Sequence, residues 1–128
     1  MTLSLNTLLA VGFGGFLGAI TRVYLNFTIT KAFPHDFPFG ILTVNVIGSF
    51  LIGVLFAVFI HYNINESMKA FLTAGFLGAL TTYSTFAIES FFLLETSFFL
   101  GIANMALNLF GTILAAGSGY KLLFFFFK

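Results

Sequence analysis

Cysteine and tryptophan are absent from this chain of 128 residues, and charge is scarce, at 7% of positions. Without cysteine, neither a disulfide framework nor a thiolate metal site can form. A soluble domain carries roughly 25% charged residues, so the polar surface needed to stay dissolved is missing. The net charge of +1 gives no basis for nucleic-acid binding. Proline is nearly absent too, and both copies, Pro34 and Pro38, fall in one short segment. What remains is apolar: 59% of residues are hydrophobic, with an aromatic content skewed heavily to phenylalanine. The composition is that of an integral membrane protein with almost no soluble part.

Charges, prolines and polar clusters divide the chain into four apolar stretches, at about 3–30, 39–60, 68–94 and 98–127. Each exceeds the roughly 20 residues that cross a 30 Å hydrocarbon core. The sequence therefore predicts an all-α membrane protein of four transmembrane helices, with residues 1–128 as one membrane domain. Its start lacks a basic opening and an A-x-A-type cleavage site, so it reads as a retained helix rather than a signal peptide. The segment holding Pro34, His35, Asp36 and Pro38 is a loop. Only Glu95, Thr96 and Ser97 separate the last two spans, which predicts a tight antiparallel hairpin. His35 and His61 fall in loops on opposite sides and do not make a metal pair.

Four spans place both termini on one side, but the charges specify that side weakly. Lys69, Lys121 and Lys128 lie toward the terminal side, and Arg22 and Lys31 toward the other. This bias slightly favours cytoplasmic termini and leaves room for insertion in both orientations. Small residues stand four apart in Gly14/Gly18, Ser49/Gly53, Ala74/Gly78 and Gly111/Ala115/Gly119. Such pairs let membrane helices approach closely; they indicate a packed bundle and carry no chemistry.

Polar residues within the spans each require a partner or a task. Asn45 and Ser49 share one face of span two, and Asn104, Asn108 and Thr112 line a similar stripe on span four. Either stripe can serve as interhelical glue or as a row of donors. Arg22, the single arginine, is either a snorkelling anchor or a fixed charge that draws anions toward a vestibule. Glu89 is the acidic residue well inside a span, open to an ion pair, a protonated helix contact or a place in a pathway. The most informative segment is Gly75-Phe-Leu-Gly78-Ala-Leu-Thr81-Thr82-Tyr83-Ser84-Thr85-Phe86. A regular helix would point its hydroxyls in all directions, lipid included. Ser and Thr compete for backbone groups, and the two glycines ease departure from helical geometry. A helix broken between Gly78 and Thr81 is predicted. Irregular backbone at membrane depth survives only when it is buried or lines a cavity, and it offers carbonyls to cations and N–H groups to anions.

The run Gly78-Ala-Leu-Thr-Thr-Tyr-Ser-Thr-Phe86 resembles the hallmark of the Fluc family, also called CrcB, the small bacterial fluoride channels. The segment from Gly14 to Arg22 is similar to the family's first-helix G-x-x-G-A-x-x-R signature. The segment from Phe39 to Phe50, with Asn45 and Gly48, is similar to its G-T-x-x-x-N-x-x-G-S/A motif. The resemblance covers all four spans. It implies an antiparallel, dual-topology homodimer with two fluoride pores at the subunit interface. It also implies a structural sodium ion at the dimer centre, held by backbone carbonyls at Gly78 and Thr81. The fluoride pathway it implies runs through Asn45, Tyr83, Ser84, Thr85, Phe86, Asn108, Glu89 and Arg22, in a bacterial plasma (inner) membrane. Tyr83 stands where the family usually has Phe, and Asn104 and Asn108 where it more often has Tyr and Ser.

Those residue types suit an anion with a tight hydration shell. Amide and hydroxyl donors and the positive edge of an aromatic ring replace water without trapping the ion, and release is what conduction requires. Transport on this reading is passive export that lowers fluoride toxicity. The alternative is a small four-helix proton-coupled exporter of the multidrug-resistance type, which depends on a first-span carboxylate; span one has no Asp or Glu. A non-transporting assembly subunit would not need the hydroxyl cluster. For an enzyme there is no nucleophile–base pair, metal cluster or phosphate loop.

Overall fold

A computed structural model describes residues 3–127; Lys128, counted in the charge comparison above, lies outside the described residues. Four helical stretches long and apolar enough to cross a membrane occur among them. Helix α1 spans Leu5–Ala32 and starts at Ser4, whose hydroxyl accepts the Thr7 N–H at 3.1 Å. This cap satisfies a donor that an apolar helix start would otherwise leave unpaired. After the proline-containing loop, α2 spans Phe39–His61. The third stretch, Glu66–Thr96, is opened by Asn65, whose side chain accepts the Met68 N–H at 2.8 Å. It divides into α3 (66–80) and α4 (Tyr83–Thr96). Helix α5 spans Phe98–Phe126. A single residue, Ser97, links α4 to α5, closing the first and capping the second through Leu100 N–H.

The third stretch is bent where the hydroxyl cluster lies, one step later than the sequence suggests. Gly78 keeps helical dihedrals of φ −62° and ψ −32°, and Gly78–Leu80 forms a closing turn. The chain becomes extended only at Thr81 (ψ 154°) and Thr82 (φ −146°, ψ 121°). Hydroxyl competition for the backbone, rather than glycine freedom, therefore marks the break. A second irregularity precedes it: Phe71–Leu77 winds as wide π-type turns, a form often found at functional sites.

Two backbone-close pairings build the bundle. A methyl group at Gly14 or Gly18 would overlap the carbonyl oxygens of Phe71 or Phe76, so α1 and α3 run side by side in the same direction. Likewise Gly53 faces the carbonyl of Ala116 and Gly119 that of Phe50, which sets α2 antiparallel to α5. The expected Ala74/Gly78 pair is exposed instead. Gly75 takes its place, with a Cβ position 2.8 Å from the Val11 carbonyl oxygen, because the wide turns rotate the contact face. The interior mixes apolar residues such as Val44, Leu77 and Leu80 with an unusual share of polar ones. Asn45, Asn104, Asn108, Ser90 and Thr82 are buried, while most phenylalanines and leucines face outward.

Candidate functional site

Asn45 on α2 clamps the break. Its side-chain Oδ1 accepts the Thr82 N–H at 2.8 Å, and its Nδ2 donates to the Thr82 carbonyl at 3.1 Å. The amide thus replaces the helical acceptor that the Thr82 N–H loses and adds a donor to a carbonyl that already caps α4, which is what permits extended backbone in an apolar setting. The second Asn45 N–H goes to Asn108 Oδ1 at 3.0 Å. Asn108 in turn donates to the backbone oxygen and Oδ1 of Asn104, each at 3.0 Å. Asn104 donates to Ser90 Oγ at 2.9 Å. The amides form one directional chain from α2 through α5 to α4.

On the α4 side of the break, Thr82 caps the new helix. Its Oγ1 accepts the Thr85 N–H at 3.3 Å, donates to Thr85 Oγ1 at 3.1 Å, and lies 3.4 Å from Ser84 Oγ. The four carbonyls from Gly78 to Thr81 lose their ordinary helical donors as a result, Gly78 and Thr81 through the bonds just described. The Thr82 N–H that an unbroken helix would give to the Gly78 oxygen goes to Asn45, and the Thr85 N–H due to Thr81 goes to Thr82 Oγ1. Carbonyls released in this way at a helix interruption have the chemistry a hard monovalent cation uses.

A pocket of about 350 Å³ opens beside the break, lined by Asn45, Ser49, Thr81, Thr82, Tyr83 and Phe86, with Met105, Asn108, Leu109 and Thr112 closing it from α5. Tyr83 and Phe86 meet edge to face, with centroids 5.3 Å apart and planes at 74°, so the positive edge of one ring is turned to the face of the other. Opposite these rings stands the amide wall. The pocket thus combines two aromatic rings with neutral polar groups, and no charged side chain lines it. It can receive a small ion at membrane depth without a fixed charge to trap it.

Of the residues predicted from sequence, Asn45, Thr81, Tyr83, Phe86 and Asn108 meet at this pocket. Asn108 lines it, whereas Asn104 is 1% exposed and stands behind it. Ser84 and Thr85 belong to the cap of α4. Gly78 sits one turn before the break. Arg22 is half-buried on α1, away from the pocket lining. Among the described residues the ion pair found is Lys69–Glu66 at 3.9 Å, which involves neither Arg22 nor Glu89. Glu89 Oε1 is buried without a hydrogen-bond partner in this chain. Sequence reasoning named Ser49 and Thr112 only as members of polar stripes, without a place in the pathway, and did not single out Thr82. Their signal was present: Ser49 is one turn from Asn45, Thr112 one turn from Asn108, and Thr82 lies inside the hydroxyl cluster.

A four-helix membrane bundle with an interrupted third span, an amide clamp on the interruption and an aromatic-edged polar pocket beside it has the form of a small ion-conducting membrane protein. Residues 9–120 match the family described as CrcB-like protein, Camphor Resistance (CrcB). The chain belongs to this family. It is 52% identical over 123 residues to the fluoride-specific ion channel FluC of Sulfurimonas denitrificans, covering 94% of this chain and 95% of that one. It is 45% identical to the FluC of Nautilia profundicola, covering 91% of this chain and 92% of the relative. A FluC of Campylobacter jejuni is 46% identical, covering 91% and 96% respectively.

Proposed function

We propose that this chain is a fluoride-selective ion channel that passively exports cytoplasmic fluoride across the bacterial inner membrane. The observation that carries the reading is the clamped break opening onto a pocket of amides, hydroxyls and aromatic rings, in a chain whose relatives are named fluoride-specific ion channels. Fluoride holds its water tightly, so a pathway must offer a donor at each step while binding weakly enough to release the ion. Asn45, Asn108, Tyr83 and Phe86 supply such a row at the pocket. An anion reaching Asn45 takes over the N–H now given to Asn108. Ser84, Thr85 and Glu89 continue the polar track along α4, and Arg22 raises the local anion concentration from α1. No bond is made or broken, so the activity is permeation rather than catalysis.

The functional unit on this reading is an antiparallel, dual-topology homodimer with a pathway on each side of the interface. The weak charge asymmetry of the loops supports insertion in both orientations. The carbonyls of Gly78 and Thr81, relieved of their helical donors, are the groups that would hold a structural sodium ion; when bound it supplies positive potential beside the pathway. A proton-coupled exporter finds no support, since α1 carries no carboxylate and the relatives are named as channels. The test is fluoride efflux from liposomes holding the purified protein. Rapid fluoride release with chloride retained is expected, and its loss in Phe86→Ile would tie it to the aromatic wall. Folded, dimeric protein that releases no fluoride would overturn the reading.

A further inference from the structure

The polar groups on the pocket wall differ in one respect that bears on anion contact: whether a donor is free. Both Asn45 N–H groups are engaged, with Thr82 and Asn108. Asn108 donates to Asn104, Thr81 Oγ1 to the Leu77 carbonyl, Thr82 Oγ1 to Thr85, and Thr112 Oγ1 to the Asn108 carbonyl. Ser49 lines the same pocket, yet among the described residues its hydroxyl has no hydrogen-bond partner, and its oxygen is not sealed from the pocket. The Tyr83 hydroxyl, on a ring 80% exposed, shares this freedom, and Ser49 is the free donor on the helix that carries Asn45. Hydroxyls inside the helices at Thr21, Thr28, Thr43 and Thr73 all bond back to the carbonyl four residues earlier.

We infer that Ser49 is a further anion-contacting residue of the pathway, donating its free O–H to the ion one step beyond Asn45. The inference rests on the channel reading above. A helix rises about 1.5 Å per residue, so the four-residue spacing sets Ser49 about 6 Å from Asn45 along α2. The two residues share a face and a pocket, and Tyr83 and Phe86 stand across from them. An ion leaving Asn45 meets a donor whose use requires no internal bond to be broken. A hydroxyl can rotate between guest and carbonyl, and being neutral it releases what it binds. Asn45, by contrast, must exchange a bond for each passage. The structure thus divides the work between a clamp that keeps the break open to the pocket and a free donor beside it.

The experiment is fluoride efflux as a function of internal fluoride concentration, from liposomes holding the full chain. Ser49→Ala keeps the small volume that α2 needs near Gly53. Loss of one hydrogen bond to an ion predicts efflux slowed about tenfold at low fluoride, with the half-saturating concentration raised. A purely structural role would move the limiting rate at high fluoride instead. Ser49→Cys retains the size and a weak donor and is expected to fall between Ala and wild type. Ser118→Ala, exposed on α5, serves as the control and keeps the wild-type curve. A Ser49→Ala protein that is monodisperse by size exclusion and follows the wild-type concentration curve would overturn the inference while leaving the channel reading intact. Wild-type protein that releases no fluoride would overturn the channel reading itself, and this inference with it.

Discussion

Replacing Asn104 by Leu tests the buried amide chain apart from the pocket it supports. Leucine matches asparagine in branching and heavy-atom count, though its methyl ends are bulkier, and Asn104 does not line the pocket, so the change removes hydrogen bonds and adds some overpacking. Two side-chain bonds vanish: the donation to Ser90 Oγ and the acceptance from Asn108 Nδ2. The Asn104 backbone oxygen remains for Asn108. Interhelical side-chain bonds in membranes average about 0.6 kcal/mol and reach about 1.7 kcal/mol. Two of them give about 1 kcal/mol, with a ceiling near 3.5 kcal/mol. The low average reflects an unfolded state in which polar groups also find partners. Ser90 can recover a bond to its own helix, whereas the Asn108 N–H aimed at Oδ1 is left in an apolar surround, so the expected loss is about 2 kcal/mol. The assay is equilibrium unfolding in mixed micelles, with Thr28→Val as reference. The Thr28 hydroxyl bonds only to its own helix, so its removal should cost under about 0.5 kcal/mol, as surface changes do. Fluoride efflux should fall as well, because Asn108 loses one of the bonds that orient its oxygen toward Asn45. Equal stability of the two variants, with efflux unchanged, would refute the idea that this chain of amides holds the break.

Glycine substitutions separate contact positions from idle ones. Gly18→Ala places a methyl group on the Phe76 carbonyl, which is backbone and cannot yield, so α1 and α3 must part and the monodisperse protein peak should be lost. Gly117→Ala meets nothing within 4 Å and should leave the elution profile and thermal midpoint unchanged or slightly raised, since Ala favours the helix over Gly. Thr82→Ala removes the cap of α4 and should cost about 1 kcal/mol in the same unfolding assay. Thr82→Ser, which keeps the accepting oxygen, should restore most of it; equal losses in the two variants would assign the cost to the methyl group instead.

The features legible in the sequence were those set by composition and local chemistry. Helix number follows from apolar length, and the loop at 33–38 from its two prolines. The short α4–α5 connection follows from three polar residues, of which Ser97 alone lies between the helices. The hydroxyl cluster marked the break to within a residue or two, because Ser and Thr act on the backbone nearest them. Less legible was anything decided by the packing of one helix on another. The wide turns at Phe71–Leu77 leave no local mark, and they alone explain why Gly75 rather than the Ala74/Gly78 pair meets α1. Nor could spacing say which of Asn104 and Asn108 faces the pocket. That depends on the direction of donation along the amide chain, which begins at the Thr82 backbone and so exists only once α2, α4 and α5 have met.

The protomer's outward surface bears on its assembly. Tyr83 is 80% exposed at the start of α4, and Ser84 beside it is exposed too. In a lone protomer, the pocket, Thr81 and these exposed side chains would border on lipid, where irregular backbone and unpaired polar groups are costly. Glu89 Oε1, buried without a partner within the chain, poses the same difficulty one turn beyond Thr85. The second copy proposed above would supply the missing cover over this face, and the place of the break suits an antiparallel arrangement. Thr81 stands midway along the stretch Glu66–Thr96, so it lies near the bilayer centre whichever way the chain is inserted. In the proposed dimer two oppositely inserted copies would therefore bring their breaks to the same depth, where the freed carbonyls of each would face one proposed ion site. A break near either end of the span would set the two copies' interruptions apart by much of the membrane thickness, and such a pairing would leave both uncovered.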